Sequence, residues 1–181
     1  MMIRFFYCLL LLVVAQFSYA VEPIWLLVDT TKSQLLVKQG EDTLKTFEDI
    51  AVGLNGAAIK QQRGDEITPL GTYKISRLSD SSKFYRFYEL DYPSAKDGRR
   101  ALREKRIDLK TFQEILHAHQ QNRIPPQNTP LGGHIGIHGL GRGDVEIHQI
   151  SNWTKGCIAL TNAQIDSLAQ WIKQGMRVEV R

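Results

Sequence analysis

Cysteine is scarce in this sequence: 181 residues contain two, Cys8 and Cys157. Long apolar runs are equally scarce. The longest, "YCLLLLVVAQF" over residues 7–17, falls short of the roughly 20 residues that a membrane-spanning helix needs. It follows Arg4 and precedes the small residues Ser18 and Ala20. A positive start, an apolar middle and a small-x-small end are the layout of a secretory leader, which predicts cleavage after Ala20. The competing reading is an uncleaved N-terminal anchor. Cys8 stands too early to be a lipid-modified residue and leaves with residues 1–20. The mature chain, 21–181, is then one domain with no membrane span, exported to the periplasm or beyond.

Removal of the leader leaves Cys157 as the sole thiol, which excludes a disulfide within the chain. An unpaired cysteine in an oxidising compartment is either sheltered or used. A buried, inert cysteine is the competing reading, since free cysteine packs well in cores.

A dominant charge is also lacking. Lys and Arg number 23 against 19 Asp and Glu, a formal net charge of +4, and the leader takes one positive charge with it. The densest basic stretch, "GRRALREKR" from Gly98 to Arg106, holds no aromatic residue to stack on a base. It reads as a solvated helix face, and nucleic-acid binding is not expected. Internal repeats and low-complexity linkers are absent.

Strand patterns are plentiful. Pro23–Asp29, Ser33–Gly40, Thr43–Gly53, Gly71–Leu78 and Lys83–Tyr92 read as strands, the last with one face expected to be covered. A helix is predicted from Asp108 as N-cap, with Leu109, Phe112, Ile115 and Leu116 on its apolar face. Prolines and glycines between Arg123 and Gly133 end that insert. "HIGIHGL" and "DVEIHQI" read as two strands around a "GRG" turn. A last helix carries Ile165, Leu168, Ala169 and Ile172 and stops at Gly175, and residues 176–181 close as a strand. The fold class is mainly β with peripheral helices, one mixed sheet folded over a core.

Histidine is the usual base for a cysteine nucleophile, because neutral imidazole accepts a thiol proton near neutral pH. Five are present: His117, His119, His134, His138 and His148. The first two fall on the amphipathic helix and read as half-exposed helix residues. His138 ends the strand "IGIH" before Gly139, which sets an imidazole at a sheet rim, and Cys157 lies 19 positions later. Adjacent strand ends would bring the two together, but spacing alone leaves this open.

"IGIHG" followed by "NWTKGCIALTN" resembles the signature of the L,D-transpeptidase catalytic domain family, the YkuD-like proteins. "AVGLNGAAIKQQRGDEITPLGTYKIS", "YPSAKDGRRA" and "LGGHIGIHG" extend the similarity over nearly all of residues 24–180. The resemblance implies a mixed β-sandwich with Cys157 as nucleophile and His138 as proton acceptor. It implies that the Gly139 carbonyl orients the histidine and that Thr154 organises the loop. It further implies an oxyanion hole of backbone N–H groups near Gly156 and Cys157. Trp153 and Lys155 are candidates for the substrate cleft. Two positions depart from the family pattern. Lys155 stands where many members carry a second histidine, and Ala159 where many carry an arginine able to grip a carboxylate. Asp65 reads as a structural turn residue.

The implied substrate is a peptidoglycan stem peptide, cleaved between an L-centre and a D-amino acid through a thioester, with no cofactor. The acceptor stays open: another stem, a protein, a D-amino acid, or water, which would make the chain an L,D-carboxypeptidase. From other classes come a metal-binding module built on His134, His138, His148 and Cys157, and a wall-binding protein without turnover. The oligomeric state is not fixed by the sequence.

Overall fold

The computed structural model describes residues 22–181, without the side chains of Ser81 and Ser82. The predicted leader lies outside the described residues. No helix among them is long and apolar enough to cross a membrane.

Among the described residues, ten strands and four helices follow in chain order. The strands are β1 (Ile24–Asp29), β2 (Gln34–Gln39), β3 (Asp42–Phe47), β4 (Ala57–Ala58), β5 (Thr68–Pro69), β6 (Gly71–Ser82), β7 (Tyr85–Leu90), β8 (Gly136–Gly139), β9 (Ile158–Leu160) and β10 (Arg177–Val180). Helices α1 (Ala95–Arg103) and α2 (Leu109–Gln120) lie between β7 and β8. Helix α3 (Val145–Ile150) joins β8 to β9, and α4 (Asn162–Ala169) joins β9 to β10. Eight strands form one mixed sheet in the order β3-β2-β1-β10-β6-β7-β8-β9. Its parallel pairs are β1–β10 and β8–β9.

The sheet curls until its two ends meet. Beyond β3 the chain turns at Asp49, and Ala51 forms an antiparallel bridge with Ala159 on β9. Both hydrogen bonds are made, Ala51 N–H to Ala159 O at 3.0 Å and the reciprocal bond at 2.8 Å. Exposed sheet edges invite foreign pairing, and closure removes them. Inside the curl sits a core that includes Leu26, Val28, Leu35, Ile75, Leu90, Ile137, Ile158 and Val178. The predicted strand over Thr43–Gly53 is therefore two pieces, β3 and the bridging segment, which serve opposite ends of the sheet.

Helix α2 begins as predicted: the Asp108 side chain accepts the Thr111 N–H at 2.8 Å. Its buried residues are Ile115 and Ala118, with Phe112 packed against the core. Leu109 is exposed, so the apolar face is rotated from the predicted one. Helix α1 carries the basic stretch. It is capped by a reciprocal Ser94–Asp97 box and buries Gly98 and Ala101 against α2.

"DVEIHQI" is a helix, α3, and not a strand. The Asp144 carboxylate accepts the N–H groups of Glu146 and Ile147 at 2.8 and 3.2 Å, which starts a helical turn. The apolar residues of this helix, Val145, Ile147 and Ile150, are exposed; His148 is the buried residue.

Candidate active site

Strands β8 and β9 run side by side at the closed end of the sheet. Their register sets Ile137 opposite Ile158 and His138 opposite Ala159. Alternate residues share a face. Ile137, Ile158 and Leu160 point into the core, while His138, Ala159 and Cys157, two residues before Ala159, lie on the other face. His138 and Cys157 are thus diagonal neighbours on adjacent strands.

His138 is 1% exposed. Its Nδ1 lies 2.7 Å from the Gly139 carbonyl, an acceptor only, so Nδ1 carries the proton and Nε2 has a free lone pair. Gly139 admits no side chain: an added Cβ would lie 2.8 Å from Asn162 Oδ1. Aromatic rings surround the imidazole. Phe84 stacks at 4.3 Å between centroids, Phe87 lies 6.0 Å away, and Trp153 meets it edge-on at 6.0 Å. Burial pulls the His138 pKa down to about 4 against the opposing Gly139 hydrogen bond, with help from nearby His148 and Lys83.

Cys157 is half-buried, and its Sγ lies 3.4 Å from the His134 carbonyl. Burial pushes the thiol pKa up to about 11. The Gly136 N–H and Lys60 pull it down, Glu89 pushes it up, and Lys83 pulls it down. The resting pair is therefore a neutral thiol and a neutral imidazole.

The backbone of the cysteine is tied from two directions. Thr154 Oγ1 donates to the Cys157 carbonyl at 2.7 Å and accepts the Gly156 N–H at 3.1 Å. Thr68 Oγ1 donates to the same carbonyl at 3.3 Å and accepts the Gly53 N–H at 2.8 Å. Gly156 has φ +119°, and a Cβ there would lie 2.7 Å from the Ile67 carbonyl; glycine alone fits this turn. Its N–H is committed to Thr154, which removes it from the predicted oxyanion hole and makes it part of the turn that presents the thiol. Lys155 is exposed on that turn. Trp153 is half-buried, and Ala159 is fully buried between His138 and Ala51, where its side chain offers no donor.

Two supporting groups carry no local sequence signal for this role. Lys60 is 3% exposed; it binds Asp65 and donates to the Ile67 carbonyl at 3.3 Å, the same carbonyl that packs on Gly156. Burial raises the Asp65 pKa, but Lys60 and the N–H groups of Gln62, Gln61 and Ile67 outweigh it and hold the carboxyl below its usual range. Asp65 is a turn residue. Glu89, 1% exposed, pairs with His134 Nδ1 at 2.9 Å and Arg77 Nε at 2.8 Å.

The alternative metal set is not assembled. His134 is turned to Glu89, His138 to Gly139 and His148 to Trp153. Among the described residues, no group of three or more His, Cys, Asp or Glu could hold a metal ion. A cavity of about 860 Å³ lies elsewhere, lined by Lys74, Asp91, His119 and Arg123 among others, and contains neither His138 nor Cys157.

The sequence model of the L,D-transpeptidase catalytic domain, YkuD, matches residues 23–180. The chain belongs to this family. The curled mixed sheet with peripheral helices is the L,D-transpeptidase fold. No curated protein sequence matches this L,D-transpeptidase-family chain significantly. Similar solved structures include the helical cell shape determining protein Pgp2 from Campylobacter jejuni, with TM-score 0.57 and 21% identity over 88% of this chain and 47% of that one. Bd1075 from Bdellovibrio bacteriovorus gives 0.56 and 18% over 91% and 50%. An Enterococcus faecium L,D-transpeptidase gives 0.51 and 10% over 89% and 50%. These likenesses concern the fold. The chain spans about half the length of these structures.

Proposed function

We propose that the chain is an exported peptidoglycan L,D-transpeptidase in which Cys157 is the nucleophile and His138 its proton acceptor. The observation that carries this reading is the His138 tautomer. With Nδ1–H bound to the Gly139 carbonyl at 2.7 Å, the free Nε2 lone pair belongs to the face that also bears Cys157.

The stem peptide binds with the carbonyl of its L-D bond at the sulfur. Sγ forms a bond to that carbon as the thiol proton passes to His138 Nε2, and the carbonyl electron pair moves to oxygen. The C–N bond then breaks. The departing D-amino acid takes the proton from His138 and leaves a thioester on Cys157. An acceptor amine attacks the thioester, gives its proton to His138, and the thiol is restored. Values of about 11 for Cys157 and about 4 for His138 set a free thiolate–imidazolium pair on the order of 10 kcal/mol above the neutral pair, before their mutual attraction is counted. Proton transfer is therefore concerted with sulfur attack. The thioester preserves acyl-transfer potential where no ATP is available. Localisation in the periplasm or outside the cell follows from the leader and the substrate.

The test is mass spectrometry of tetrapeptide muropeptides incubated with the protein and with Cys157→Ala. Cross-linked dimers that lack one D-alanine, absent with the variant, support transpeptidation. Tripeptide monomers alone move the assignment to L,D-carboxypeptidase. No product from either protein sinks this substrate.

A further inference from the structure

Helix α3 buries one residue, and that residue is polar. His148 is 3% exposed, while Val145, Ile147 and Ile150 on the same helix face solvent. A helix that merely needed an anchor would reverse this arrangement. The imidazole also leaves one nitrogen unmatched: Nε2 is buried with no hydrogen-bond partner. Buried polar atoms without partners are uncommon, so an imidazole retained at such a cost points to a task for its other nitrogen.

That task is visible. The Trp153 indole Nε1–H donates to His148 Nδ1 at 3.3 Å. The same indole meets His138 edge-on, with centroids 6.0 Å apart and planes at 69°. We propose that His148 is a positioning residue: by accepting the Trp153 N–H it holds the indole against His138, and its protonation releases that hold. This rests on the reading of His138 as the proton acceptor.

The tautomer follows from the contact. An Nδ1 that accepts leaves the neutral ring's proton on Nε2. Protonation makes both nitrogens donors, so Nδ1–H would oppose the indole N–H and the contact is lost. Two titratable groups face His148: Asp49, after β3, favours its charged form, and His138, on β8, is the group whose own charged form His148 disfavours. Burial is the larger influence and keeps the ring neutral below its ordinary range. The indole in turn covers His138, whose own neutrality depends on exclusion from water. Release of Trp153 hydrates that imidazole and lets it take a proton from solvent, which removes it from use as a base.

Nitrogen-15 NMR of the histidine rings in the full protein reads this without substrate, so it stands apart from the choice of stem peptide. The expected wild-type spectrum at pH 7 has His148 unprotonated at Nδ1. His148→Leu and Trp153→Phe should raise the His138 titration midpoint by about one pH unit. His148→Asn, whose Oδ1 replaces the acceptor, should leave it near the wild-type value. If turnover is established, His148→Leu should move the acid limb of kcat/KM up by about one pH unit and His148→Asn far less. The double variant His148→Leu/Trp153→Phe should be no worse than either single change. A His138 midpoint unmoved by His148→Leu overturns the proposal, as does His148→Asn behaving like His148→Leu. If the variants fail to fold, the wild-type spectrum still decides, because a proton on His148 Nδ1 at pH 7 rules the contact out.

Discussion

Neutral His138 has two consequences that share a cause. Below its ordinary value near 6.5 the unfolded chain binds a proton that the folded imidazole refuses until about pH 4. The contribution to stability is thus complete above pH 6.5 and lost as pH falls towards 4, about 3 kcal/mol in all. Urea titrations at pH 7 and 4.5 should show this loss in wild type and a smaller one in His138→Phe; equal losses would place the titration elsewhere. The second consequence is kinetic. The acid limb of kcat/KM, a property of the free enzyme, should fall below pH 5 rather than near 6.5, and a pH–rate profile on stem peptide measures it. Thr154 gives a third expectation. Thr154→Val strips the acceptor from the buried Gly156 N–H and one of two hydroxyls from the Cys157 carbonyl. It should cost about 1–3 kcal/mol in urea denaturation, with Thr154→Ser close to wild type. Cys157, His138, Thr154 and Gly139 were all legible as a motif. The Thr68 hydroxyl on the Cys157 carbonyl was not, because 89 residues separate the two and no local spacing records that crossing; the contacts of Lys60 and of the Gly156 N–H are local but depend on turn geometry that the residue types alone do not specify.

At the scale of elements, the strands were easier to read than the short helix. The strand predicted over Lys83–Tyr92 is β7, but Tyr88, Glu89 and Leu90 are buried in succession, so both faces are covered at its end and not one as expected. In "DVEIHQI" six residues fit both periods, and the deciding information is the Asp144 cap together with a buried histidine. The α2 face was misplaced for a related reason. Leu109 and Leu116 outrank Ala118 in hydrophobicity, but α1 brings Gly98 close to Phe112 and Ile115 and selects the face around Ile115. Ile115, with no exposed surface, is then the keystone of the α1–α2 insert. Ile115→Ala should lower unfolding free energy by about 2–5 kcal/mol, read from the shift in urea midpoint. A loss under 1 kcal/mol would mean the insert packs loosely.

For the molecule as a whole, closure of the curled sheet is the organising event. Ala51 and Ala159 stand at opposite ends of the strand order, and edge amides ordinarily exchange early. Their reciprocal hydrogen bonds predict hydrogen exchange as slow as that of Leu26 and Val178 in the centre; exchange within minutes would show that the closure opens locally. The same seam carries the paired hydroxyls on the Cys157 carbonyl. Thr68 reaches it across 89 residues of chain, and Asn152 holds the Val52 N–H across 100. Contacts this distant in sequence form after the local ones, since large loops must close first. Cys157 therefore acquires this backbone support only when residues 52–68 meet residues 152–157. A partly folded intermediate carries the thiol without the hydroxyls that fix its backbone, and the proposed chemistry would await completion of the fold.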